Sequence, residues 1–139
     1  MNRRLLLTVL AMIPLALSGC ASTGSVDDTK IGQLASSLGL TSEQAQAGVG
    51  AMLKVSQLRI EPAEYAKIAK VIPRADEYIA LASRLDAFQG ATPSAAGLSS
   101  AFGKLGLSPE QATKFVPAVT DYVSRADPGV GMVFASSLK

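Results

Sequence analysis

The sequence predicts an all-α fold: a small compact helical domain of about seven short helices, built as two similar three-helix units around a middle helix. Three observations predict it. Apolar residues recur at the i, i+3, i+4, i+7 spacing of one helix face. No alternating apolar and polar run is long enough for a strand. The chain also repeats itself: Leu38-Gly39-Leu40-Thr41-Ser42-Glu43-Gln44-Ala45 returns as Leu105-Gly106-Leu107-Ser108-Pro109-Glu110-Gln111-Ala112, 67 residues later. Backwards, Ile31, Leu34 and Ala35 fall on Leu98, Ala101 and Phe102. Forwards, with one residue dropped, Arg59-Ile60-Glu61-Pro62 falls on Arg125-Ala126-Asp127-Pro128. Self-similarity at a fixed offset marks a fold assembled from one repeated unit. Residues 31–139 are therefore read as one domain, with 31–72 and 98–138 as its two copies.

Each element has a local cause. Ile31, Leu34, Ala35 and Leu38 share a helix face, and Gly39 supplies the left-handed residue that ends a helix. Thr41 caps the next helix, with Gln44 in capping-box position; Ser108 and Gln111 repeat this. Pro62, Pro109 and Pro128 open helices, where a missing N–H costs nothing. Tyr65, Ile68, Ala69 and Ile72 form a stripe that Pro73 closes. Tyr78, Leu81, Ala82, Leu85 and Phe88 form the middle helix. Gln89 to Ser94, with Gly90 and Pro93, reads as a loop between the halves. The clearest stripe is Ala112, Phe115, Val116, Val119, Tyr122, Val123 and Ala126. Burial is expected for Leu38, Leu105, Phe102, Phe115, Val119 and Ile68, and exposure for Lys54, Lys67, Lys104 and Lys114. Many apolar positions are alanine, which buries little area, so modest stability is expected.

The first 19 residues are of another kind. Met1 to Arg4 is a basic start, and Leu5 to Leu17 a nearly unbroken apolar run, shorter than the roughly 20 residues that span a bilayer. This is the layout of a secretory signal peptide. Leu17-Ser18-Gly19-Cys20 resembles the bacterial lipobox. The resemblance implies cleavage between Gly19 and Cys20 and attachment of lipid, including palmitate-type acyl chains, to Cys20. The alternatives are an ordinary secreted protein and an uncleaved anchor. Alanine at position 21 resembles the lipoprotein default of transfer to the outer membrane, on its periplasmic face. Residues 20–30, small and polar, read as the lipidated cysteine and a flexible tether.

The composition narrows the chemistry. Arg3 and Arg4 lie in the leader, so the remaining 11 basic residues balance 11 acidic ones. A near-neutral chain lacks the basic face that nucleic acid requires. There is no histidine, hence no imidazole base or ligand. With the single cysteine assigned to lipid, no metal or cofactor is expected. Asp27-Asp28 and Asp76-Glu77 do not resemble a calcium loop. Glu61 and Glu64 can be paired carboxylates, but acids at a helix start are accounted for by the helix dipole. Ser100 and Lys104 are four apart and can meet as a Ser-Lys dyad, whereas Lys54 and Ser56 cannot; such pairs are ordinarily surface. Gly129-Val130-Gly131 lacks the rest of a phosphate loop and reads as a helix opening where another helix passes close. Pro117 breaks the strongest stripe, at the level of Gly50 in the first copy. It marks a bend around the core or, more pointedly, a cleft or hinge.

The two Leu-Gly-Leu copies followed by Ser/Thr-x-Glu-Gln-Ala, together with Phe115-Val116-Pro117-Ala118-Val119-Thr120-Asp121-Tyr122-Val123, resemble the VcgC/VcgE-type bacterial domain of unknown function. The likeness spans roughly Ile31 to Leu138. It implies a small helical exported or lipid-anchored domain, and no functional residue carries over with it. The expectation is a lipid-anchored envelope protein that is not an enzyme: a structural or interaction module with a possible envelope protein partner. The alternative is a periplasmic binding module for a small apolar ligand or lipid chain.

Overall fold

The computed structural model describes residues 28–88 and 94–139. Among these there are seven helices and no strand: α1 (Asp28–Leu38), α2 (Ser42–Arg59), α3 (Pro62–Val71), α4 (Ala75–Arg84), α5 (Ala95–Lys104), α6 (Pro109–Ala126) and α7 (Pro128–Ser137). The all-α class and the helix order are as the sequence predicts. α2 and α6 are each 18 residues long, and α3 and α7 each 10. α4 stands between the copies. The described part of α1 starts at Asp28, inside the segment read as tether, and Arg74 and the Tyr78 hydroxyl both bond the Asp28 carboxylate.

The caps explain why the copies match. The Thr41 hydroxyl accepts from the Gln44 N–H at 3.1 Å, while the Thr41 N–H donates to Gln44 Oε1 at 3.0 Å. Ser108 and Gln111 reproduce both bonds at 3.2 and 2.9 Å. Each capping box satisfies two N–H groups that the first turn leaves without partners. Gly39 (φ +68°) and Gly106 (φ +85°) hold the left-handed conformation just before these caps, where glycine alone carries no side-chain penalty.

The copies then reach across to each other. Gln44 Nε2 donates to the Leu105 carbonyl at 3.1 Å, and Gln111 Nε2 donates to the Leu38 carbonyl at 2.9 Å. Helix ends leave such carbonyls unpaired, so each copy closes the other's first helix. Phe115 meets its own counterpart, Gly48, where an added Cβ would lie 2.8 Å from the Phe115 ring.

One continuous core results, with Phe115, Phe134, Tyr78, Ile68, Met52 and Leu53 all below 2% exposed. Leu105, Phe102, Val119 and Ile68 are buried as expected, and Lys67, Lys104 and Lys114 are exposed. Leu38 and Lys54 depart from expectation, each being half-buried. Leu38 is the last residue of α1 and packs at the rim of the core. Lys54 runs its stem along α2, the most enclosed helix, while its ammonium bonds Gln57 at the surface; long basic side chains commonly do this.

The copies diverge where backbones approach. The tightest pairing in the fold is α4 on α2. It depends on Gly50, whose hypothetical Cβ would lie 1.9 Å from the Tyr78 carbonyl oxygen. In the second copy the close pair is α7 on α6, where a Cβ on Gly131 would lie 2.1 Å from Ser124 Oγ. The matching residue of α3 is Tyr65, too large for that approach, and α3 touches α2 little. The middle helix is shorter than its stripe suggests. α4 ends at Arg84, Leu85 is 37% exposed, and Asp86 turns the chain at φ 56°.

Candidate functional site

Between α5 and α6 lies a cleft of about 570 Å³, open on one side. Leu98 and Phe102 of α5 form one wall, and Ala112, Val116 and Pro117 of α6 the other. Leu107 and Leu138 complete the apolar lining. The helical spacing of these residues is what puts them on facing surfaces. Phe102 is held edge-on against Phe115, with ring centroids 5.6 Å apart and planes at 76°. This geometry suits two aromatic quadrupoles, and it fixes the wall. Among the described residues no charged side chain lines the cleft, and Ser99 and Thr113 supply its side-chain hydroxyls. Pro117 stands exposed in the wall, and α6 continues as helix through it. Having no N–H, it cannot supply the donor that the Thr113 carbonyl would take from that position.

A second polar group is internal. The Ser56 and Ser137 hydroxyls lie 2.6 Å apart, both buried, and Ser137 donates to the Phe134 carbonyl at 2.6 Å. Arg59 Nη1 donates to the Ser137 carbonyl at 2.9 Å, joining α2 to the end of α7. The Tyr65 hydroxyl is buried with no hydrogen-bond partner among the described residues. Burial, and secondarily the charge of Asp76, push its pKa up. Hydrogen bonding to Glu77, aided by the charge of Asp28, pushes the Arg74 pKa above its already high value.

Gly19 and Cys20 lie outside the described residues. The other candidates are dispersed. Glu64 pairs with Lys67 at 2.8 Å, and Glu77 with Arg74. Glu61 precedes Pro62 and makes no side-chain cap. Asp76, Ser100 and Lys104 are exposed. Lys54 bonds Gln57 at 3.4 Å, while its near neighbour Ser56 is buried against Ser137. Gly129-Val130-Gly131 opens α7, its N–H groups at 129 and 130 bonded by Asp127, with Gly131 at the close approach its small size suggested. Among the described residues no three His, Cys, Asp or Glu side chains come together, and no helix is long and apolar enough to cross a membrane. Sequence reasoning signalled the cleft only through Pro117. The partners of Pro117 in the wall read as core, because their periodicity is that of any buried face.

A family model described as protein of unknown function VcgC/VcgE (DUF2780) matches residues 21–139. No curated protein and no solved structure matches the chain.

Proposed function

The chain belongs to the VcgC/VcgE family of unknown function, and we propose that it is a lipid-anchored cell-envelope protein whose helical domain is a non-catalytic interaction module. The apolar cleft between α5 and α6 carries this reading. It offers shape and apolar surface for binding, and its described lining residues carry neither a charged group nor a base for chemistry. The absence of histidine from the chain supports the same view. Leu17-Ser18-Gly19-Cys20 supports anchoring through lipid on Cys20, and Ala21 supports a position on the periplasmic face of the outer membrane. A second reading, a binding module for a small apolar molecule, is favoured by the cleft volume, which falls within the usual ligand range of about 300–1,000 Å³.

Metabolic labelling with radioactive palmitate tests the anchor. Wild type should incorporate label and Cys20→Ser should not; equal labelling of both removes the proposal. Density-gradient fractions should place the wild type in the outer membrane, and Ala21→Asp should move it inward. Native mass spectrometry of the protein purified from its host separates the two readings, since a small ligand adds a few hundred daltons and a partner adds a whole chain.

A further inference from the structure

Each wall position of the cleft has a counterpart in the first copy. Ala112, Val116 and Pro117 correspond to Ala45, Val49 and Gly50, and Leu98 corresponds to Ile31. The counterparts are closed: Ala45 and Val49 are 0% exposed and Gly50 is buried. In the second copy Ala112 and Val116 are only half-buried, and Pro117 is exposed. At Gly50 the element that closes the first copy is α4. The Tyr78 backbone lies against Gly50, and the Tyr78 hydroxyl reaches Asp28 at the start of α1. The Tyr78 side chain, 1% exposed, therefore joins α2 to the Asp28 end of α1, on the side of α2 that corresponds to the Pro117 wall of the cleft. α4 presents Tyr78 with Ala75 three residues before it and Ala82 four after it, all buried.

We infer that the open cleft is a docking groove for an amphipathic helix of a partner protein of the envelope. That helix sets a tyrosine or tryptophan, flanked by small residues, in the cleft against the Val116–Pro117 face of α6, as α4 sets Tyr78 against the Val49–Gly50 face of α2. The inference rests on the interaction-module reading above and names the class of partner. Helix-in-groove recognition uses this spacing of anchors. Pro117 in place of Gly50 keeps an incoming backbone further from α6 than α4 lies from α2, which leaves room for the larger anchor. The Thr113 carbonyl, denied a donor by Pro117, suits an aromatic residue that carries an O–H or N–H. A hydrocarbon chain offers it no donor.

The test uses the full-length lipidated chain in its host envelope, with benzoylphenylalanine as photo-reactive probe at Gly103. Gly103 lines the cleft and has nothing within 4 Å of an added Cβ. The same probe at exposed Arg125 is the control. Position 103 should give a discrete protein adduct that position 125 does not. The cross-linked peptide should map to a helix-forming segment with tyrosine or tryptophan flanked by small residues at the α4 spacing. Thr113→Arg, and separately Val116→Lys, should lower the adduct about tenfold or more, the effect of blocking one anchor, with circular dichroism confirming that both variants fold. Adducts only with lipid, no adduct, a mapped segment without an aromatic residue, or blocking variants that fold and cross-link as wild type would each overturn the inference. So would saturable binding of dansyl-undecanoic acid that Thr113→Arg abolishes while no protein adduct forms. Palmitate labelling at Cys20 reports the anchor independently, so failure of the groove and failure of the anchor are read apart.

Discussion

Gln44 and Gln111 make the same hydrogen bond in opposite directions: each caps its own helix through Oε1 and gives Nε2 to the carbonyl that ends the other copy's first helix, Leu105 for Gln44 and Leu38 for Gln111. Two functions of one side chain can thus be separated. Gln111→Glu keeps an acceptor for the Ser108 N–H and loses the donor to Leu38, setting a carboxylate against a carbonyl. It should cost about 1–2 kcal/mol in urea unfolding at pH 7. Part of that loss should return as pH falls to about 4, where the carboxyl regains a proton to donate. A loss that does not respond to pH would place the cost in the cap rather than between the copies.

Gly50 and Gly32 should respond oppositely to alanine. At Gly50 the new methyl would sit 1.9 Å from the Tyr78 carbonyl oxygen, and backbone cannot swing aside as a side chain does. α4 must move, at about 3 kcal/mol or more. At Gly32, inside α1, nothing lies within 4 Å of the added carbon, so lower backbone entropy in the unfolded chain should yield a gain of about 0.5–1 kcal/mol. Thermal unfolding of the two variants checks both signs at once.

Tyr65 carries a buried hydroxyl without a partner, so Tyr65→Phe should match wild type at pH 7 or exceed it by about 1 kcal/mol. The variant also tests the raised pKa. The unfolded chain releases the phenol proton near pH 10 while the folded one still holds it, so stability falls as pH rises from there through the folded pKa. Denaturation series from pH 8 to 11 should show a shallower alkaline decline in Tyr65→Phe. An unchanged decline would assign it to other groups.

Much of this fold is legible in the chain because local chemistry sets it. Caps at Thr41 and Ser108, glycines at 39 and 106, and prolines at 62, 109 and 128 place helix boundaries without reference to the rest of the molecule. The path of the middle helix is less legible. Leu85 and Phe88 continue the stripe of Tyr78 and Ala82, yet the chain turns at Asp86, and it is packing against α2 that selects the Ala75, Tyr78 and Ala82 face. The cleft is the least legible feature. Val116 and Val49 occupy equivalent places in equivalent stripes, yet Val49 is fully buried and Val116 is half-open.

The meeting of Phe115 with Gly48 has a historical consequence. Surfaces in which residue i touches j, and j touches i, are those of a two-fold homodimer, and the crossed glutamines have that form. Residues on the dyad of such a dimer face themselves, so a half-length ancestor would have set phenylalanine against phenylalanine, or glycine against glycine. With both halves in one chain the facing positions can differ, and here one ring fills the space of two side chains. Fusion also holds the halves at an effective concentration on the order of millimolar. A single chain of this kind need not make the same contact twice, so Val49 can be fully buried while Val116 stays half-open.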